Sequence, residues 1–286
     1  MPPTVDFNTV TNSRKPAARK YLRSADGDTP YIEQPIRMVS CDTPEKAGYA
    51  GKPETSQPKL ETARQRLEGA FYAQLPQGIR DYLAAKLTAD AAERHINAGL
   101  EATKVFDVLL AERLTRPSGS MRSVGVIPTG EVIDRYGRML AYLAPWYTGS
   151  GSDPVPPVGH PDRDTFNLNM IMNGWAAFFP VYGSLPKDSD MNMAIAAAED
   201  AWDAKRGAWA FAGVDVLLAY EYRLCIKLGT ATSAAKGIAD AFQRECVDLR
   251  TLTKVGQFGF DAVPPPYRLW IWEDDVTEAT AALGLS

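Results

Sequence analysis

The stretch Arg37-Met38-Val39-Ser40-Cys41-Asp42-Thr43-Pro44-Glu45 decides the reading of this chain, because its character changes halfway along. Up to Val39 it alternates, with Ile36 and Met38 on one face and Arg37 and Val39 on the other, which is the period of a strand. At Asp42-Thr43-Pro44 the strand stops, and Pro44 biases Thr43 to an extended backbone that turns its carbonyl outward. Upstream, Tyr21-Leu22-Arg23-Ser24-Ala25 and Thr29-Pro30-Tyr31-Ile32 flank Asp26-Gly27-Asp28, a hairpin-turn signal. The second arm of that hairpin is expected to run on through 36–39, so that Asp28 at the turn and Asp42 at the strand end converge. Farther along, Ser123-Val124-Gly125-Val126-Ile127 and Met139-Leu140-Ala141-Tyr142-Leu143 lie on either side of Asp134-Arg135-Tyr136-Gly137-Arg138, which reads as a second hairpin.

These three motifs carry a consistent chemistry. Asp28 and Asp42 supply two carboxylates suited to a hard cation, Arg37 and Arg138 supply two planar guanidinium forks suited to a phosphate, and Glu45 is left to polarise a water. Taken singly, each is ordinary: Asp-Gly is a common turn, and Asp-Thr-Pro-Glu is a common helix start. Together they point to metal-assisted phosphodiester chemistry.

A chain of 286 residues with 45% hydrophobic and 23% charged residues is long enough to bury a sizeable core and ordinary for a globular protein. No stretch approaches the run of about 18 apolar residues that a spanning helix needs, and the polar, Pro-rich start lacks the apolar run of a secretory signal. The expected compartment is therefore the cytoplasm, or the exterior if this is a mature form. Cys41, Cys225 and Cys246 are too few and too unpatterned for a disulfide framework or zinc site and read as small buried hydrophobes. The net charge is −4 with a pI near 5.4, so attraction to a polyanion has to be local. The one basic cluster, Arg14, Lys15, Arg19, Lys20 and Arg23, lies at the N-terminus and reads as a flexible or solvated arm over residues 1–17 and just beyond.

Between the two hairpins the pattern is helical. Residues 46–60, punctuated by Gly48, Gly51, Pro53 and Pro58, read as a loop. Leu60, Ala63, Leu67, Ala70 and Phe71, then Ile79, Leu83 and Leu87, then Ile96, Leu100, Val105, Leu109 and Leu110 recur at helical spacing. His95, with no second imidazole or carboxylate pattern beside it, is expected at the surface or its boundary. His160 is expected to be exposed and unpartnered in a Gly/Ser/Pro loop over 147–161. Phe166 to Gly174 reads as a short helix with a glycine stop, and 188–206 as another. The last part of the chain has an apolar stretch from Val214, a helix-like run over 233–246, the break Pro264-Pro265-Pro266 and the run Leu269-Trp270-Ile271-Trp272. It is expected to pack on the rest of the chain or on a partner, since two tryptophans would otherwise face water.

Lined up in this order, Asp26-Gly27-Asp28-Thr29, the run from Arg37 to Glu45, and Asp134-Arg135-Tyr136-Gly137-Arg138-Met139-Leu140-Ala141-Tyr142 resemble the thermonuclease family, whose type member is staphylococcal nuclease. Phe166-Asn167 through Gly174-Trp175-Ala176, and Ala198 through Gly207-Ala208-Trp209, are similar to that family's later helices, so the resemblance covers about residues 18–211. It implies an α+β fold: an OB-like five-stranded β-barrel with packed helices, here with an enlarged helical insertion at about 52–88 and a C-terminal extension over 212–286. It further implies Ca²⁺ held by Asp28 and Asp42 with the Thr43 carbonyl, and Asp26 supporting them. Glu45 would activate the attacking water, with Arg37 and Arg138 on the scissile phosphate and Arg135, Tyr136 and Tyr182 contacting the nucleic acid. The implied reaction is hydrolysis of DNA and/or RNA. The alternative on the same fold is a catalytically silent or partner-regulated nucleic-acid-binding or scaffolding module, with a protein partner reached through 212–286.

Overall fold

The structure, a computed structural model, describes residues 18–134 and 136–286. It is a mixed α+β architecture in which small open sheets are held together by helices. The basic residues Arg14 and Lys15, and Arg135, lie outside the described residues.

The chain opens with the hairpin β1 (Tyr21–Ser24) and β2 (Pro30–Ile32), closed by a hydrogen bond from Ala25 N–H to the Thr29 carbonyl. The second arm does not run on. Glu33-Gln34-Pro35 interrupts it, and β3 (Ile36–Met38) joins a different sheet. Pro35 has no N–H to give a ladder, so a break here is natural. A second change of sheet follows at Ser40, whose φ of +58° puts a non-glycine residue in left-handed backbone. Beyond that corner β4 (Ser40–Asp42) pairs with β7 (Ala177–Phe179), while β3 pairs in parallel with β6 (Met139–Pro145), itself antiparallel to β5 (Val124–Ile133). Where an OB-like five-stranded barrel was expected, the described residues show a three-stranded sheet β5–β6–β3 and a two-stranded sheet β4–β7, and no closed barrel is found among them. At the Ser40 corner one continuous stretch passes from the first sheet to the second.

After β4 come α1 (Ala47–Ala50), α2 (Pro53–Glu68), α3 (Gln77–Lys86) and α4 (Ala91–Leu114). Helix α2 begins inside the expected 46–60 loop and carries Pro58 in its interior. Pro53 at its first turn has a preset φ suited to helix entry. The missing Pro58 N–H is outweighed by a stripe of Leu60, Ala63 and Leu67, all buried, with each leucine contributing about 1.5–3 kcal/mol of burial. Next come α5 (Phe166–Met172), capped by the Thr165 hydroxyl accepting from Leu168 N–H, then α6 (Asp188–Asp203) and α7 (Ala208–Ala212).

Residues 212–286 share the same core. Helices α8 (Ala219–Thr230) and α9 (Ala234–Ala241) precede the antiparallel sheet β9–β8–β10, formed by β8 (Arg244–Asp248), β9 (Thr253–Gly256) and β10 (Arg268–Trp272), and α10 (Val276–Leu283) ends the chain. One apolar cluster joins Leu60, Leu67, Tyr72 and Leu83 to Tyr222, Leu228, Phe260 and Trp270. Helices α2 and α8 cross so closely that a Cβ on Gly229 would fall 1.9 Å from the Lys59 carbonyl oxygen, so only glycine fits there. The β10 sheet meets the end of β7 through a bridge between Val181 and Trp270. The three cysteines are free and buried, and among the described residues no helix is long and apolar enough to cross a membrane.

Candidate functional site

A cavity of about 700 Å³ lies where the sheets and α8 meet. That volume falls within the ordinary range for small-ligand sites, about 300–1,000 Å³. Arg37 reaches it from β3, Glu45 from the segment after β4, and Arg138 and Tyr136 from the β5–β6 turn. Tyr182 lines it from the segment after β7. Of the ten residues assigned roles from sequence, these five come together on one cavity.

Asp42 lies beneath the wall, 3% exposed. Its Oδ1 accepts from the guanidinium of Arg37 at 2.8 Å, and Arg223 of α8 donates to both carboxylate oxygens, at 3.1 and 2.7 Å. Burial pushes the Asp42 carboxyl up, but the two guanidinium groups more than offset this and its pKa is lowered. Arg223 also donates to Glu45 Oε1 at 2.7 Å, bridging the two acids. Arg223 is itself held charged: burial works against the cation, and Asp42 and Glu45 override it.

Glu45 is fixed through its backbone. Its N–H donates to His95 Nε2 at 2.8 Å, so the other ring nitrogen carries the hydrogen, and Nδ1 donates to the Leu217 carbonyl at 2.9 Å. His95 is therefore not the surface residue expected from sequence. It is fully buried, stacked on Tyr222 at 3.9 Å, and burial drives its pKa down to about 3. Nearby, Gly99 of α4 lets the helix lie against this segment, because a Cβ would come 2.5 Å from the Glu45 carbonyl oxygen. The second Glu45 oxygen takes no hydrogen bond from a described residue, and Glu45 lines the cavity.

Arg138 is anchored to Asp134, which receives its Nε at 2.8 Å and also accepts the backbone N–H groups of Tyr136 and Arg138. Burial raises the Asp134 carboxyl, but these bonds lower it further than burial lifts it. The turn is thus locked and its arginine aimed. Tyr182 is tied down by donating its hydroxyl to Glu278 at 3.1 Å.

The metal assignment fares differently. Asp28 sits in the exposed β1–β2 turn, accepting from the Thr29 hydroxyl, and does not line the cavity. The strand arm after this turn ends at Ile32, and no contact joins Asp28 to Asp42 among the described residues. Thr43 is half-buried and off the cavity wall. Both Asp42 oxygens already accept from guanidinium groups, and among the described residues no cluster of three or more His, Cys, Asp or Glu is placed to hold a metal. As arranged, the donor set does not fit a bound Ca²⁺. His160, expected to be unpartnered, accepts from Asp162 N–H.

Sequence reading missed the wall supplied from beyond residue 212: Tyr220, Arg223, Lys227, Arg244 and Trp272. One signal was present, an acid and a base inside an apolar helical run, Tyr220-Glu221-Tyr222-Arg223-Leu224-Cys225, since charges in such a run are seldom buried without a partner. With these residues included, the cavity is lined by five basic side chains, Arg37, Arg138, Arg223, Lys227 and Arg244, against two acidic ones, Glu45 and Asp134, among the described residues. A chain with a net charge of −4 therefore concentrates positive charge in one place. In comparisons with known proteins, no family model matches the chain and no curated protein gives a significant match.

Proposed function

We propose that this cavity binds and hydrolyses a phosphodiester of DNA and/or RNA, as expected for a nuclease of the thermonuclease type. The observation that carries this reading is that Arg37 and Glu45 from one motif and Arg138 from another, about ninety residues later in the chain, line one cavity. In this reading the two guanidinium forks hold the phosphate and offset the charge that builds as water attacks. Glu45, with one oxygen held by Arg223, offers the other to the attacking water as proton acceptor. The strands β3 to β7 would correspond to an opened form of the OB-like barrel, with α2, α3 and the residues after 212 as additions that narrow the cleft.

Ca²⁺ belongs to the proposal through the resemblance alone, and no step is assigned to it. The test is cleavage of plasmid and single-stranded RNA by the purified protein with Ca²⁺, with Mg²⁺ and with EDTA, beside Glu45→Gln. The expected result is degradation reduced at least about a hundredfold in the variant. Equal rates in the two proteins reject the role of Glu45, and equal rates in Ca²⁺ and EDTA reject the cofactor.

A second reading is favoured by one specific observation, the Arg223 bridge across Asp42 and Glu45. A carboxylate clamped in this way suits a binding module that does not turn over, or one that a partner must release. Binding of the same nucleic acids without cleavage under any of the three conditions would support it.

A further inference from the structure

Arg244 stands apart from the other basic groups of the cavity. Arg37, Arg138 and Arg223 each pair with a carboxylate, and Lys227 donates to the Asp240 carbonyl. The Arg244 side chain makes no ion pair and no hydrogen bond with any described residue, and its Nε is buried without a partner. Its surroundings are rings: the guanidinium lies 3.7 Å from the centre of Trp272, its cross-strand partner, with Phe179 and Tyr220 at 5.5 and 5.8 Å. There is a second orphan. Tyr220 lines the cavity, and its hydroxyl is buried without a hydrogen-bond partner.

Buried polar groups are almost always satisfied, and a buried charge is costly unless paired. Here the Arg244 Nε and the Tyr220 hydroxyl are both left unsatisfied, in two residues that line one cavity. Burial lowers the Arg244 pKa to about 10, which still leaves it a cation at neutral pH. The aromatic rings hold the guanidinium by cation–π contact without using its hydrogens, so the donors remain available. A planar fork with a hydroxyl beside it matches a phosphate, and apolar walls strengthen the bond by excluding water.

We propose that Arg244 and Tyr220 receive a second phosphate of the ligand, so that the cavity takes the end of a short single strand carrying a terminal phosphate. This rests on the reading of Arg37 and Arg138 as receptors of a first phosphate, and it adds a substrate class: short, terminally phosphorylated strands rather than the middle of a long duplex.

The test is calorimetric binding, in a Glu45→Gln background so that nothing is consumed, of the dinucleotide TpT and its 5′- and 3′-phosphorylated forms, with inorganic phosphate as the small-ion control. One phosphorylated form is expected to bind about tenfold or more tightly than TpT, as one charged hydrogen-bonded contact provides. In Arg244→Gln the terminal phosphate should add nothing, and Arg244→Lys should restore part of the preference. Loss of fold is read separately, from the melting temperature of Arg244→Gln beside that of the parent, and binding is compared per folded molecule. No preference in the parent, or the same preference in Arg244→Gln, overturns the proposal. The two readings fail separately. A preference that depends on Arg244 in a protein that cleaves nothing keeps the phosphate receptor and removes the hydrolase; cleavage of TpT with no preference does the reverse.

Discussion

Glu221 and Arg223 stand two residues apart on α8, about 200° around the helix, and each is the centre of a buried ionic cluster. Glu221, fully buried, accepts from Lys86 at 2.6 Å, Arg268 at 3.0 Å, the Tyr82 hydroxyl and the Leu218 N–H. Arg268 also donates to the Val263 carbonyl and to the Tyr82 hydroxyl. Burial alone would raise the Glu221 carboxyl, but Lys86 and Arg268 hold it down at about 2. Nothing in this cluster faces the cavity. The Arg223 cluster has the same ingredients but opens on one side, through Arg37, Glu45 and Arg223 itself. The comparison teaches that buried charge by itself does not mark a site: a closed, fully satisfied cluster fixes how α8 packs on α3 and β10, whereas an open one with donors to spare can meet a ligand.

The largest effect should come from breaking the closed cluster. Glu221→Gln leaves Lys86 and Arg268 buried without a counter-charge and should cost about 3–5 kcal/mol, measured by urea unfolding. Arg223→Ala should cost less, about 2 kcal/mol, because Asp42 keeps Arg37 and Glu45 gains access to water. A loss as large as that of Glu221→Gln would mean the open cluster is as structural as the closed one.

The smallest effect is a dependence on pH. His95 is neutral in the fold, with a pKa lowered to about 3, against 6.5 when unfolded. Below 6.5 the unfolded chain takes up a proton the fold refuses, so this stabilisation is complete above pH 6.5 and falls as the medium becomes acid. By one unit below, near pH 5.5, about 1.4 kcal/mol should be gone. His95→Gln, whose amide oxygen can still accept the Glu45 N–H, should flatten that slope in unfolding curves taken from pH 7 to 5.5. An unchanged slope would mean another group is responsible.

Much of this was legible in the chain. The alternation before Val39 gave β3, the apolar spacing of Leu60, Ala63 and Leu67 gave most of α2, and the turn residues at 134–138 placed Arg138 on the rim. Local patterns served there because the structure is local. The expected run of the hairpin arm through Glu33-Gln34-Pro35 is not seen, since β2 ends at Ile32 and β3 starts at Ile36 in another sheet, and Pro35 has no N–H to give a ladder. The burial of His95 could not be read from its helix, since its partners Glu45 and Leu217 are 50 and 122 residues away. Arg223 reaches Asp42 across 181 residues, and Arg244 is known by what it lacks, which no sequence pattern displays.

The most direct test of the central claim is the single-turnover cleavage rate of a short single-stranded oligonucleotide, per folded molecule, for Glu45→Gln and Glu221→Gln side by side with their melting temperatures. The account predicts that Glu45→Gln keeps its melting temperature and loses at least about a hundredfold in rate, whereas Glu221→Gln melts early but cleaves at the parental rate while folded. Equal rates for Glu45→Gln and the parent, or a Glu221→Gln protein that is folded and inactive, would contradict it.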